Sequence, residues 1–113
     1  MEIQVRRQNL ADLSGNEPLY KRVPTHDEEG RPLSDFMMLI PGLRDWSKDR
    51  FLDRVAGIQA VLGQHKQVVF ADLNVPLNLL WVSMLPELGL ITRIAADLQA
   101  RVPEAKLVGS DQS

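Results

Sequence analysis

The chain has 113 residues, the size of one domain with a core of its own. Its formal charge is −2 at pH 7, so it lacks the excess of Lys and Arg that a phosphate-binding surface needs. The absence of cysteine excludes disulfides, thiolate metal sites and a cysteine nucleophile. We therefore expect no nucleic-acid partner, no metal and no cofactor.

The apolar stretches of the chain are short. The longest, residues 73–85, is interrupted by Asn74, Pro76 and Asn78 and is too short to cross a bilayer. The first residues lack the apolar core of a signal peptide. We expect no membrane contact and a cytoplasmic location.

Composition divides the chain near Asp35. Residues 1–35 hold ten hydrophobic residues, and the other forty lie in residues 36–113. Because the first part is rich in turn-forming residues, it is predicted to be an N-terminal arm with a hairpin at 19–35. Residues 36–113 are predicted to form an α+β domain.

The domain begins with a strand and a helix. The apolar run 36–40 predicts a buried strand that ends at Pro41 and Gly42. Ser47 is a suitable helix N-cap, and Gly63 is expected to end the helix in a left-handed conformation. Apolar residues recur between them at helical spacing, at Phe51, Val55, Ile58 and Leu62.

Three more strands and a second helix follow. Residues 67–73 and 77–84 are rich in β-branched and aromatic residues and are joined by a hairpin loop at 74–76. Residues 105–109 predict the last strand. The second helix precedes it, with its apolar stripe at Ile91, Ile94, Ala95, Leu98 and Val102.

This order of elements, over residues 36–109, resembles the ferredoxin-like fold. The resemblance implies an antiparallel sheet with two helices on one face. Because that fold serves regulatory domains, RNA-binding proteins and small enzymes, it implies no particular function.

Two loops that contain Pro and Gly each lead from a strand into a helix, and they form the candidate ligand site. Their residues are Pro41, Gly42, Leu43, Pro86, Gly89 and Leu90. Glycine permits close approach, and a helix N-terminus offers free N–H groups to a small carboxylate. Small-molecule sensors that resemble the ACT family bind amino acids at such a loop, often across a dimer. The simpler interpretation is an ordinary turn, for which Pro and Gly are the common residues.

No residue is predicted to be catalytic. The enzyme alternative is a cofactor-free enzyme of the dimeric α+β barrel type, which would need a polar group in a closed pocket. Asn78, Ser83 and His65 are the candidates for that group. Asp72, at the end of a predicted strand, is expected to emerge into solvent.

Both faces of the predicted sheet are apolar. In strand 77–84 one alternating set is Leu77, Leu79, Trp81 and Ser83, and the other is Asn78, Leu80, Val82 and Met84. A large exposed apolar patch is unfavourable in a monomer. We therefore predict a non-catalytic, self-associating interaction or regulatory domain, a homodimer whose interface includes whichever of Leu80 or Trp81 points away from the helices. The arm is the alternative cover.

Overall fold

A computed structural model of the chain describes residues 3–6 and 29–109. Most of the predicted arm, 1–35, and of its hairpin, 19–35, lies outside these ranges. Among the described residues, no helix is both long and apolar enough to cross a membrane.

The elements in chain order are β1 (Ile3–Arg6), β2 (Ser34–Leu39), a 3-10 turn (Leu43–Asp45), α1 (Lys48–Gln64), β3 (Val68–Asn74), β4 (Leu79–Met84), α2 (Leu90–Arg101) and β5 (Lys106–Val108).

The strands form one five-stranded sheet in the order β1-β3-β4-β2-β5. β1 pairs with β3 in parallel, and the other three pairings are antiparallel. The α+β class is confirmed. The prediction of a wholly antiparallel sheet is wrong at one edge, where β1 adds a parallel strand. Its four residues carry too short a pattern to indicate a strand.

Both helices pack on one face of the sheet, which we call the helix face. Met38 lies opposite Leu80, and Leu80 lies opposite Leu73, so the three side chains point to the same face. All three are buried in one core with residues of both helices. The helix residues buried there include Phe51, Ile58 and Leu62 of α1, and Leu90, Ile94 and Leu98 of α2. The predicted helical stripes are confirmed.

Helix α1 starts as predicted and ends differently. Ser47 is its N-cap, and the Oγ atom accepts a hydrogen bond from the backbone N–H of Arg50 at 3.2 Å. The helix continues through Gly63 to Gln64, and the C-cap His65 is extended, with φ −105° and ψ 100°. The prediction that Gly63 is a left-handed cap is wrong, because the chain passes directly from the helix into the extended conformation that leads to β3.

The left-handed glycines lie instead before the helices. Gly42 has φ 80° and precedes the 3-10 turn, and Gly89 has φ 78° and precedes α2. Neither glycine has a side chain to cap the turn, and their carbonyl groups accept hydrogen bonds from the backbone N–H groups of Asp45 and Arg93. A residue with a Cβ atom would be strained at both positions.

Candidate functional site: the open face of the sheet

The face opposite the helices, which we call the open face, carries a group of buried polar residues. Asp72 in β3 and Ser83 in β4 are 1% and 0% exposed. Arg6 of β1 reaches over β3, and its Nη2 atom lies 3.5 Å from Oδ2 of Asp72. Trp81 lies opposite Asp72 in the β3–β4 register. These four residues, Arg6, Asp72, Trp81 and Ser83, are called the polar cluster below.

The burial of Asp72 overturns the expectation that it emerges into solvent. β3 does not end at Asp72 but continues to Asn74. β1 then pairs along this part of β3, with Gln4 opposite Asp72 and Arg6 opposite Asn74. A carboxylate at this depth needs a counter-charge or hydrogen bonds, and Arg6 supplies the positive charge.

Three polar atoms of the cluster lack a hydrogen-bond partner within the described part of the chain. They are Nε of Arg6, Nε1 of Trp81 and Oγ of Ser83, and all three are buried. Each can donate a proton, and a buried donor without an acceptor costs about 1–3 kcal/mol. The polar cluster therefore offers donors to a group that carries hydrogen-bond acceptors.

The geometry of the cluster does not favour nucleophilic catalysis. A serine nucleophile needs a base within hydrogen-bond reach, and Oγ of Ser83 makes no such bond to any described residue. The described residues also contain no group of three or more His, Asp or Glu side chains that could hold a metal ion.

An apolar strip occupies the other half of the open face, toward the β5 edge. It consists of Met37, Leu39, Leu79 and Val108, with Met37 opposite Val108 and Leu39 opposite Leu79. Leu39 and Val108 remain 37% and 38% exposed. Phe70 and Trp81 on the same face are partly buried, and the strip is where apolar side chains from three neighbouring strands lie together.

Trp81 is the member of the polar cluster that adjoins the apolar strip, because it lies opposite Met37. The predicted interface was to include whichever of Leu80 or Trp81 points away from the helices. Leu80 is 1% exposed and belongs to the core on the helix face. Since neighbouring residues of a strand point to opposite faces, Trp81 is the one on the open face.

The structure does not bring the six predicted ligand residues together within one chain. β2 and β4 run antiparallel, so the loops that follow them lie at opposite ends of the sheet. Pro41 and Gly42 lie at one end, and Pro86 and Gly89 lie at the other. Leu43 and Leu90 are buried in the core and act there as apolar anchors of their turns.

Pro86 lines an open cleft with Arg31, Gln67 and Glu87. Glu87 accepts a hydrogen bond from Nε2 of Gln67 at 2.8 Å and another from Nη2 of Arg93 in α2. These two hydrogen bonds lower the pKa of the Glu87 carboxyl below its ordinary value. Glu87 thus ties the start of β3 to α2 and is engaged by protein groups.

The three polar residues considered for the enzyme alternative lie apart. Oδ1 of Asn78, in the β3–β4 turn, accepts from the backbone N–H of Arg44 at 2.9 Å. Nε2 of His65 lies 2.9 Å from Oδ2 of Asp97, so it links the end of α1 to α2. Ser83 lies on the open face. The three do not form one pocket.

The polar cluster is the feature that sequence reasoning missed. The signal available was the occurrence of Asp72 and Ser83 inside two otherwise apolar strands, but their common face depends on the β3–β4 register. That register includes an irregularity between Val68 and Phe70, which shifts the alternation by one residue.

No protein-family model, no curated protein and no solved structure matches this chain.

Proposed function

We propose that this chain is a non-catalytic interaction domain that self-associates through the apolar strip. The observation that carries the proposal is the exposure of Leu39 and Val108 side by side with Met37 and Leu79. Packing another surface against these side chains removes apolar area from water, which is favourable in proportion to the area buried.

The charges around the apolar strip favour a second copy of the chain as the partner. On the open face, Asp35 lies near one end of β2, and Lys106 lies opposite Leu39 near the other end. A two-fold axis that lies between the two sheets, above Met37 and perpendicular to β2, would place Asp35 of each copy near Lys106 of the other. Such self-complementary surfaces are what a two-fold dimer requires.

The ferredoxin-like assignment is part of the same proposal. Four strands follow one another as antiparallel neighbours, β5-β2-β4-β3, and the two helices connect β2 to β3 and β4 to β5. These features support a ferredoxin-like unit with β1 as an additional edge strand. In that arrangement the open face is the side that remains for a partner.

Sedimentation of the full chain at micromolar concentrations tests the proposal. We expect a dimer mass for the unmodified chain and a monomer mass for Leu39→Asp and Val108→Asp, because each buries a charge in the contact. Both positions are partly exposed, so the variants should fold. Leu52→Asp is the matched control, since Leu52 is 54% exposed on α1, on the other side of the sheet.

A monomer mass for the unmodified chain would overturn the proposal. The proposal also fails if Leu52→Asp dissociates the dimer while Leu39→Asp and Val108→Asp leave it intact, because the contact would then involve the helices. Far-ultraviolet circular dichroism of each variant establishes that the change in mass does not come from unfolding.

A further inference from the structure

Two exposed side chains of opposite charge lie beside the apolar strip on the open face. Asp35 is two residues before Met37 in β2 and therefore points to the same face. Lys106 of β5 lies opposite Leu39, which also belongs to the strip. Both charged side chains are exposed, and neither forms an ion pair with another described residue.

Within one chain these two charges are too far apart to pair. Asp35 precedes Leu39, the residue opposite Lys106, by four residues of β2, which is about 13 Å at the rise of about 3.3 Å per residue. The charged atoms of an ion pair lie within about 4 Å of each other. Side chains that stand roughly perpendicular to the sheet cannot close this gap. An ion pair between Asp35 and Lys106 therefore requires a second copy.

Met37 lies midway between the two charged positions along β2. The two-fold axis proposed above passes over Met37 and reverses the direction of β2 in the second copy. Because a two-fold contact is reciprocal, it forms the same pair twice, between Asp35 of each copy and Lys106 of the other. An axis parallel to β2 would instead bring Asp35 of one copy against Asp35 of the other. The charges therefore favour the arrangement in which the two β2 strands run antiparallel.

The charges that meet in this contact are balanced, although the whole chain is acidic. The other charged residues of the described strands on this face, Arg6 and Asp72, lie 3.5 Å apart, and their side chains are only 10% and 1% exposed. The exposed strand charges that remain are one acidic and one basic. The formal charge of −2 per chain makes two copies repel each other at long range, whereas the strip and its flanks attract.

We infer that charge selects the partner of the apolar strip and that ionic strength regulates the contact. Asp35 and Lys106 form two ion pairs between copies, align the two β2 strands antiparallel and weaken as salt concentration rises. The inference rests on the proposed self-association. The sign of the salt effect is distinctive, because salt screens ion pairs but also relieves the repulsion between chains of the same net charge. Only the local pairs make salt weaken the dimer.

Exchanging the two charges tests the inference by sedimentation equilibrium of the full chain. Asp35→Lys or Lys106→Glu alone sets like charges against each other at both contacts, so we expect the dissociation constant to rise about tenfold or more. In an equimolar mixture of the two variants both contacts regain opposite charges. We expect a heterodimer with a dissociation constant near that of the unmodified dimer. The double variant, with both changes in one chain, should form the homodimer again.

A second variant separates charge from shape. Asp35→Asn combined with Lys106→Gln keeps the size of both side chains and removes both charges. Between about 0.1 and 1 M sodium chloride the Debye length falls from about 10 to about 3 Å. We expect the dissociation constant of the unmodified chain to rise over this range and that of the uncharged variant not to rise. Far-ultraviolet circular dichroism establishes that every variant is folded.

The outcomes distinguish this inference from the proposed function. If the unmodified chain is a dimer but the single charge variants associate as tightly as it does, or their mixture gives no heterodimer, the inference is wrong and self-association stands. If Asp35→Lys binds the unmodified chain as tightly as it binds Lys106→Glu, the β2 strands run parallel and the inference is also wrong. A monomer mass for the unmodified chain overturns both.

Discussion

Ser47 and Ser83 show that one residue type has opposite roles in two environments. The hydroxyl of Ser47 accepts a hydrogen bond from the first turn of α1, where backbone N–H groups otherwise lack partners. The hydroxyl of Ser83 is buried in β4 without a partner among the described residues. The first hydroxyl stabilises the fold, and the second is retained at a cost in stability.

Alanine should therefore destabilise the fold at Ser47 but not at Ser83. We expect Ser47→Ala to lower the free energy of unfolding by about 0.5–2 kcal/mol, because a helix loses its N-cap. Ser83→Ala should leave it unchanged or raise it, because an unsatisfied hydroxyl is removed. Urea unfolding of both variants measures the difference. A loss above about 1 kcal/mol for Ser83→Ala would mean that its hydroxyl has an acceptor.

At the scale of an element, glycines that look alike in the sequence have different conformations. Gly63 lies within α1, and a Cβ atom built there would meet nothing within 4 Å. Gly42 has a positive φ of 80°, which residues with a Cβ atom rarely adopt. The backbone conformation therefore decides the sign of an alanine substitution.

We expect Gly63→Ala to stabilise the chain by about 0.5–1 kcal/mol, because alanine has the higher helix propensity and less freedom in the unfolded chain. Gly42→Ala, the matched control, should destabilise it by at least about 1 kcal/mol. Thermal unfolding of the two variants measures both effects. Destabilisation by Gly63→Ala would show that the helix ends at Gly63 in a left-handed turn, as the sequence suggested.

The elements that could be predicted from the sequence are those with a local pattern. α1, α2 and the strands β2 to β5 each show an apolar periodicity or a compact apolar run, and each was located to within a few residues. β1 could not be predicted, because its four residues gain their structure from pairing with β3. The polar cluster depends on that pairing, since β1 is what brings Arg6 to Asp72.

The two predicted ligand loops lie at opposite ends of the sheet for a reason of the same kind. Each loop was identified correctly as a turn into a helix, with Gly42 and Gly89 in left-handed conformations. Their separation follows from the antiparallel register of β2 and β4, which acts at long range. The residue types of each loop predict a turn, whereas the pairing of β2 with β4 determines where the two turns lie relative to each other.

At the scale of the whole molecule, two surface carboxylates tie the helices to the rest of the fold. The Glu87 carboxylate accepts hydrogen bonds from Gln67, which precedes β3, and from Arg93 of α2. Glu104, which precedes β5, accepts a hydrogen bond from Nη2 of Arg50 in α1 at 2.7 Å. The pKa of Glu104 is lowered first by a backbone hydrogen bond and then by Arg50. The stability that a carboxyl with a lowered pKa provides is present above its unfolded-state pKa and is lost as pH falls through the folded-state value.

Acid should therefore weaken the fold, partly through Glu87. We expect Glu87→Gln to be less stable than the unmodified chain at pH 7. The two should begin to converge as the pH falls below 4.5, the ordinary pKa of Glu, and should meet below the lowered folded-state pKa, because the protonated carboxyl then resembles the amide. Urea unfolding across this pH range measures the difference. A gap that stays constant down to pH 3 would contradict the role given to the Glu87 carboxylate.

The open face shows how topology refines an argument from composition. The ten hydrophobic residues of the first 35 are few for covering an apolar sheet, which favours a second copy as the cover. The strand register divides this face: the polar cluster lies toward β1, and the apolar strip lies toward β5. The proposed contact between copies involves the apolar strip.

The parallel pairing of β1 with β3 also has a consequence for the order in which the chain folds. Ile3 pairs with Ala71, and Arg6 pairs with Asn74, so β1 leaves the ribosome long before its partner has been made. At typical rates of synthesis the interval is on the order of several seconds, whereas the β3–β4 hairpin forms within microseconds of its own completion. β1 therefore joins the sheet only after β3 has been made, although it precedes β3 in the chain, and until it does, the edge of β3 is open to any other extended chain.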